Sequence, residues 1–242
     1  MKNLYYFIIA IFLSGCSAGN VDITGTAKGM EGAPVSILDL EGKTIFSSTI
    51  QSGKFSIKKQ LPEAGYYTLS ILDGSEPRDF EIYLEDGTYN IEIPQHKSDY
   101  LKINTSSPTQ TKLSAYYDFE NDLMAKHRQE VEIWKARLND PKIKDLPENE
   151  FQNILDHVES NRVREDGLHV AAIDSFIKKY PTNDIIPHII TNMNYQSYPY
   201  AYYNLYKKLN PEIQNSEEGK KIGEELKPLS KKAEENVIIR KR

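Results

Sequence analysis

The stretch FEIYLEDGTYNIEI, residues 80–93, decides the fold class of the first half of the chain. Apolar and polar residues alternate on both sides of Asp86-Gly87, and a period of two is typical of a strand with one buried face. Glycine tolerates the positive φ that a tight hairpin turn requires, so Asp-Gly between two alternating segments predicts a β-hairpin. The stretch therefore predicts two strands joined at this turn.

The same alternation extends outward from Val21 to about Thr105. Further turn signals divide this region at Glu41-Gly42-Lys43, Ser52-Gly53-Lys54 and Asp73-Gly74. They separate about eight short strands with no helical segment among them, a pattern that favours two packed antiparallel sheets. Residues 17–105 are therefore predicted to form an antiparallel β-sandwich domain.

Beyond Ser106 the apolar period lengthens to that of a helix. Met124, His127, Val131 and Trp134 are spaced three and four apart, which places them on one helical face. The pattern predicts two long helices that form a hairpin, followed by three shorter ones, at residues 109–139, 148–180, 184–193, 198–209 and 216–233. The chain is thus predicted to be α+β, with an all-helical domain over residues 106–236 and a tail over 237–242.

Residues 1–16 have the features of an export signal. Lys2 is followed by an apolar segment over residues 4–13 and then by Leu13-Ser14-Gly15-Cys16. The apolar segment is too short to span a bilayer, which needs about 20 residues, but it suits a signal peptide. The tetrapeptide resembles the lipobox of bacterial lipoprotein precursors, and this resemblance implies that Cys16 is acylated after cleavage. Several acyl chains at one residue would anchor the protein stably.

The residues after Cys16 bear on the location of the protein. Ser17-Ala18-Gly19-Asn20 contains no acidic run, unlike the known retention and surface-export signals of lipoproteins. We therefore expect a lipid-anchored protein of the cell envelope, on the periplasmic face of the outer membrane. The membrane, through the lipid on Cys16, is its first expected partner.

Composition excludes several classes of function. The formal net charge is −5, and it becomes one unit more negative when Lys2 is removed with the signal peptide. An acidic chain without a basic stripe argues against nucleic-acid binding. Cys16 is the single cysteine, and lipidation would consume its thiol. Disulfides, CxxC redox chemistry, cysteine nucleophiles and thiolate metal sites are therefore excluded for the mature chain.

Motifs for catalysis or metal binding are absent from the sequence. It contains no HExxH, no G-x-S-x-G, no P-loop and no G-x-G-x-x-G. None of the five histidines pairs at the i, i+4 spacing of two metal ligands on a helix; they are His96, His127, His157, His169 and His188. His127 lies on an apolar stripe and is interpreted as a packing residue. We predict neither an enzyme, nor a metal site, nor a cofactor.

The densest unusual feature is a group of six tyrosines within residues 195–206. Tyrosine combines an apolar ring with a polar tip and suits sugar or protein surfaces. One interpretation is that Tyr198, Tyr200 and Tyr202 form an exposed aromatic binding face. The alternative is that Tyr202, Tyr203 and Tyr206 pack a helix against its neighbours.

The order of these elements resembles the N-terminal region of the TlpA/ResA-like thioredoxin-fold lipoproteins of the Bacteroidetes kind. Besides the lipobox, the matching segments are Ile23-Thr24-Gly25-Thr26-Ala27, Tyr180-Pro181, Leu205-Tyr206, Leu209-Asn210-Pro211, Asn215-Ser216 and Gly219-Lys220-Lys221-Ile222. In those proteins, a domain of unknown function and a helical segment precede a thioredoxin domain with a CxxC motif. These 242 residues contain no such motif, so the resemblance implies the non-catalytic leading region without the oxidoreductase activity.

Three functional hypotheses follow. The first is a non-enzymatic, membrane-anchored binding or scaffolding module that holds a protein of the cell envelope or a glycan. The second is an accessory subunit that docks a separate thioredoxin-like thiol-disulfide oxidoreductase. The third is a hydrolase that uses some of the scattered carboxylates and histidines.

Overall fold

The computed structural model describes residues 19–74, 76–95 and 99–240, so Cys16 and the predicted signal peptide lie outside the described residues. The chain is α+β, as predicted, with strands followed by helices. The strands are β1 (Asn20–Thr26), β2 (Pro34–Leu38), β3 (Thr44–Thr49), β4 (Lys54–Gln60), β5 (Gly65–Asp73), β6 (Glu76–Leu84), β7 (Gly87–Glu92) and β8 (Lys102–Thr105). The helices are α1 (Pro108–Leu138), α2 (Glu148–Lys179), α3 (Ile186–Thr191), α4 (Pro199–Tyr206), α5 (Pro211–Gln214) and α6 (Glu217–Arg240), with a 3-10 helix at Pro141–Asp145.

The strands form two four-stranded sheets, in the orders β4-β1-β7-β8 and β3-β2-β5-β6. Each sheet buries one set of alternating side chains, such as Val21 and Ile23 in β1 and Leu69 and Ile71 in β5. Gly25 allows close packing in the first sheet, because a Cβ at this position would lie 2.1 Å from the Phe55 ring. The predicted alternation thus corresponds to burial on one face of each sheet.

One part of the prediction is wrong: the first sheet is mixed, not antiparallel. β1 pairs with β4 antiparallel but with β7 parallel. Asp86-Gly87 therefore does not close a hairpin, since β6 and β7 lie in different sheets. The Asp86 carboxylate instead accepts a hydrogen bond of 2.8 Å from the backbone N–H of Asn20, at the start of β1. The turn thus connects the two sheets and is held by β1.

Two further glycine turns also differ from each other: one closes a hairpin, and the other connects strands of different sheets. Asp73-Gly74 closes the predicted hairpin, with β5 and β6 paired from Asp73 opposite Glu76. At the turn of Ser52 and Gly53, by contrast, the backbone φ is positive at both residues and β3 and β4 continue into different sheets. The Glu31 carboxylate accepts hydrogen bonds from both backbone N–H groups of this turn, at 3.0 and 3.1 Å.

The long helical hairpin is present as predicted. α1 has 31 residues and α2 has 32. Their contacts run in opposite directions along the two helices: Tyr116 packs on Phe176, whereas Trp134, farther along α1, stacks on His157, which lies earlier in α2. The two helices are therefore antiparallel. α2 ends before Tyr180, next to Pro181, which cannot continue the helical hydrogen bonding.

The shorter helices differ from their predicted bounds at the ends. α6 continues to Arg240, past the predicted end near residue 233 and into the residues assigned to a tail.

Within the described residues, no helix combines the length and apolarity needed to cross a membrane. The chain divides into two compact units: residues up to Glu92 with Asn104–Ser107, and Ile93–Ile103 with the residues from 108 onward.

Candidate functional site

The three tyrosines predicted to form a binding face do not share one exposed surface. Tyr200 is 51% exposed, Tyr198 is half-buried, and Tyr202 is only 1% exposed. The inclusion of Tyr202 in an exposed face is therefore wrong. The physical reason is the helical period: successive residues are rotated by about 100°, so residues two apart point to nearly opposite sides.

The packing interpretation applies to one side of α4. Tyr202 and Leu205, three residues apart, are both buried, together with Pro199. Tyr206 lies against α6 at Gly223, where an added Cβ would be 2.4 Å from the Tyr206 hydroxyl. Glycine at position 223 therefore permits the close contact between α4 and α6.

The remaining exposed side of α4 is aromatic and cationic. The rings of Tyr203 and Tyr206 are stacked, with centroids 6.1 Å apart. The ammonium of Lys207 lies 5.1 Å from the centroid of Tyr203, within the range of a cation–π contact. We call the side chains of Tyr200, Tyr203 and Lys207, which the helical period places on one side of the helix, the α4 surface. It retains one of the three predicted residues, Tyr200, and adds two.

A buried polar group, not predicted from the sequence, lies between α1 and α2. Glu120 is only 5% exposed. Its Oε1 atom accepts a hydrogen bond of 2.7 Å from the Tyr116 hydroxyl and lies 2.9 Å from His169 Nδ1. We call Glu120, Tyr116 and His169 the Glu120 cluster. Its members on α1 lie on a buried stripe with Leu113, Met124 and His127, so helical spacing contained a signal for the burial of Glu120.

The surroundings of the cluster shift the pKa values of its members. Burial acts to lower the pKa of His169, but the hydrogen bond to Glu120 and the negative charges of Glu120, Glu165 and Asp166 outweigh burial and raise it. Burial, followed by the charge of Glu120 and its hydrogen bond, raises the pKa of Tyr116 well above its ordinary value. The site therefore favours the protonated form of His169.

Two tyrosines of α4 respond to the same acidic region. Burial, with the charges of Asp166 and Glu120, raises the pKa of Tyr202 to about 12. A hydrogen bond with the Asp166 carboxylate raises the pKa of Tyr198. The acidic side chains of α1 and α2 thus act on both the buried Tyr202 and the half-buried Tyr198.

The Glu120–His169 pair has the chemistry of a general base held by a carboxylate, but catalysis also requires a group for it to activate. Within the described residues, the only hydrogen bond of the His169 ring is that with Glu120. Tyr116, bonded to the same carboxylate, is a poor nucleophile because its pKa is raised. The described part of the chain also contains no group of three or more His, Cys, Asp or Glu side chains placed to hold a metal ion.

The other histidines are dispersed. His127 is buried, as expected for a packing residue, but neither of its ring nitrogens has a hydrogen-bond partner within the described residues. His157 stacks on Trp134 at a centroid distance of 3.8 Å, and His188 lies near Asn192 on α3. His96 lies outside the described residues. The structure thus does not bring the four described histidines together.

Comparison with known protein families finds a match in the first part of the chain. Residues 21–113 match the family described as a domain of unknown function, DUF4369. The match covers the eight strands and the beginning of α1, and it confirms the domain-of-unknown-function part of the predicted resemblance. No curated protein matches the chain.

Proposed function

We propose that this protein is a non-enzymatic binding or scaffolding module of the cell envelope, held by a lipid on Cys16 at the periplasmic face of the outer membrane. One observation carries the binding role: Tyr200, in the first turn of α4, is 51% exposed, and the helical period places Tyr203 and Lys207 on the same side of the helix. Exposed tyrosine is a frequent anchor in protein interfaces and suits glycans as well. The partner is a protein of the envelope or a glycan.

The arrangement of the polar groups supports a binding role over a hydrolytic one. The carboxylate of Glu120 is buried and hydrogen-bonded to a histidine. Its two partners, Tyr116 and His169, belong to α1 and α2 themselves. Such a network fixes the packing of the helices. Because these hydrogen bonds hold the helices together, the α4 surface is better suited than the Glu120 cluster to bind a partner.

The binding role can be tested by photo-crosslinking from position 200. We expect a photoreactive phenylalanine analogue in place of Tyr200 to give a discrete crosslinked species in the native envelope. The matched control places the same analogue at Leu40, an exposed apolar residue between β2 and β3. An equal pattern from both positions, or no product from position 200, would count against the α4 surface. A thioredoxin-fold partner would identify the protein as the accessory subunit of the second hypothesis.

The anchor is tested by Cys16→Ala. Because Cys16 is the single cysteine, the variant should lose all labelling by a fatty-acid analogue and should appear in the soluble fraction. Ser17→Ala, which leaves the cysteine in place, is the control and should keep both the label and the membrane association. Membrane association of unlabelled Cys16→Ala would contradict anchoring through this residue.

A further inference from the structure

The sheet β3-β2-β5-β6 ends in an edge strand that carries no charged residue. β3 has the sequence TIFSST and lies at one edge of this sheet. Among the described residues it pairs with β2 alone, and the side chains of Thr44, Ser47 and Thr49 are exposed. An edge strand presents a row of backbone N–H and C=O groups that another strand can pair with. β3 therefore offers a surface for strand pairing.

The other three edge strands have features that oppose such pairing. β4 contains three lysines among its seven residues, and β6 contains Pro77 and four charged residues. β8 has only four residues, includes Lys102 and is followed after two residues by α1. Charged side chains, proline and short length are the usual means by which edge strands avoid association. β3 has neither a charge nor a proline.

We propose that β3 pairs with β3 of a second copy of this chain, in antiparallel orientation, so that two four-stranded sheets join into one sheet of eight strands. A two-fold axis between two copies makes the paired strands antiparallel and brings the same groups from both sides. Like charges directly opposite each other destabilise a strand pair. Self-pairing would bring lysines together at β4 and acidic residues at β6, but at β3 it brings no charges together.

The hydrogen bonds of Ile50 show which backbone groups of β3 point outward. Just after β3, the N–H of Ile50 donates to the carbonyl of Ala33 at 3.0 Å, and the N–H of Gly32 donates to the carbonyl of Ile50 at 2.9 Å. Both groups of Ile50 thus point toward the β2 side. Because successive residues of a strand turn these groups to alternate sides, those of Ser47 and Thr49 point away from β2.

The regular part of β3 sets the expected register of the pair. The pairing of β2 with β3 shifts at a bulge between Ile37 and Leu38 and is regular over residues 46–49 of β3. Hydrogen bonds exchanged between Ser47 of one copy and Thr49 of the other use this regular part alone. They place Ser48 opposite Ser48 of the second copy, at the two-fold axis. In such a pair, which exchanges no hydrogen bonds, the Cα atoms lie about 4.5 Å apart, and a small serine fits there.

Disulfide trapping in membranes tests the pairing on the full chain. Under mild oxidation, Ser48→Cys should give a disulfide-linked species of twice the mass, because a Cα distance of about 4.5 Å is within disulfide range. Ser56→Cys, on the edge strand β4, is the matched control and should give several-fold less dimer. Ser56 is exposed whereas Ser48 is half-buried, so random collision would favour the control. The unmodified protein shows any disulfide formed through Cys16.

Three outcomes of this experiment would overturn the proposal. They are the absence of a dimer from Ser48→Cys, equal yields from Ser48→Cys and Ser56→Cys, and a crosslinked species of another mass. The last would show that β3 pairs with a different protein.

A charge exchange at Ser47 separates pairing from an effect on folding. In the expected register the Ser47 side chains of the two copies are diagonal neighbours, about 7–8 Å apart. In the Ser48→Cys background, Ser47→Lys alone and Ser47→Glu alone should each lower the dimer yield several-fold. Co-expression of the two variants should restore the yield, because opposite charges then meet. Failure of the mixture to restore it would contradict the pairing.

A measurement on the unmodified protein in detergent requires no variant to fold. The backbone amides of Ser47 and Thr49 should gain protection from hydrogen exchange as the protein concentration rises, because they donate across the two-fold axis. Protection that does not change with concentration would overturn the proposal. The pairing involves β3 and not α4, so its failure would leave the binding role of the α4 surface unaffected.

Discussion

Replacement of Tyr202 by alanine is expected to lower the free energy of unfolding of the helical unit by about 3–5 kcal/mol, the usual cost of truncating a buried aromatic side chain. Tyr202 is 1% exposed, between Pro199 and Leu205 on the buried side of α4. Tyr200→Ala, two residues earlier in the same helix, should change this free energy by less than about 0.5 kcal/mol, because half of that side chain is in solvent.

Urea denaturation followed by circular dichroism at 222 nm measures both values. Tyr202→Phe is the control for the hydroxyl group: it keeps the buried ring and should recover most of the stability lost in Tyr202→Ala. A larger loss for Tyr200→Ala than for Tyr202→Ala would contradict the rotation of α4 described above.

The exposure of Tyr200 and the burial of Tyr202 also show what the sequence can predict. Grouping Tyr198, Tyr200 and Tyr202 used a spacing of two, which brings side chains to one side of a strand but not of a helix. Pro199 signals the first turn of a helix, so the helical period could have separated Tyr200 from Tyr202 in advance. The exposed and buried sides of α4 were thus within reach of the sequence.

The strand connections show a limit of a different kind. Asp73-Gly74 and Asp86-Gly87 give the same local signal, yet only the first closes a hairpin. The second is decided by β1, whose Asn20 lies 66 positions earlier and donates to Asp86, and by the parallel pairing of β1 with β7. Local patterns predict strands and turns well, but they carry little information about which strands become neighbours.

The Glu120 cluster has one feature that the sequence can predict and one that it cannot. Glu120 lies in phase with Tyr116 and Met124 on one face of α1, so the sequence could predict its burial. Its partner His169 lies 49 positions away, and the pairing depends on the register of the hairpin. That register comes from the packing of many side chains, so no local motif would have joined these two residues.

The packing that sets this register can itself be tested at Phe176. This residue lies at the open end of the hairpin, where α1 begins and α2 ends. Phe176 is fully buried in α2, and its ring contacts Tyr116, Phe119 and Tyr180, with centroid distances of 5.3, 5.7 and 4.7 Å. Phe176→Ala removes all three contacts and leaves a cavity, so we expect a loss of about 3–5 kcal/mol in the free energy of unfolding.

Phe151 provides the matched control, since it is a phenylalanine of the same helix with an exposed ring. Phe151→Ala should cost less than about 1 kcal/mol in the same denaturation experiment. Phe176→Ala should also disturb Tyr116, whose ring packs on Phe176 and whose hydroxyl donates to Glu120. An NMR titration of the His169 ring, which is hydrogen-bonded to the same carboxylate, should therefore differ from that of the unmodified protein in Phe176→Ala and not in Phe151→Ala. Equal losses of stability in Phe176→Ala and Phe151→Ala would contradict the central role of Phe176 in the packing of the helical unit.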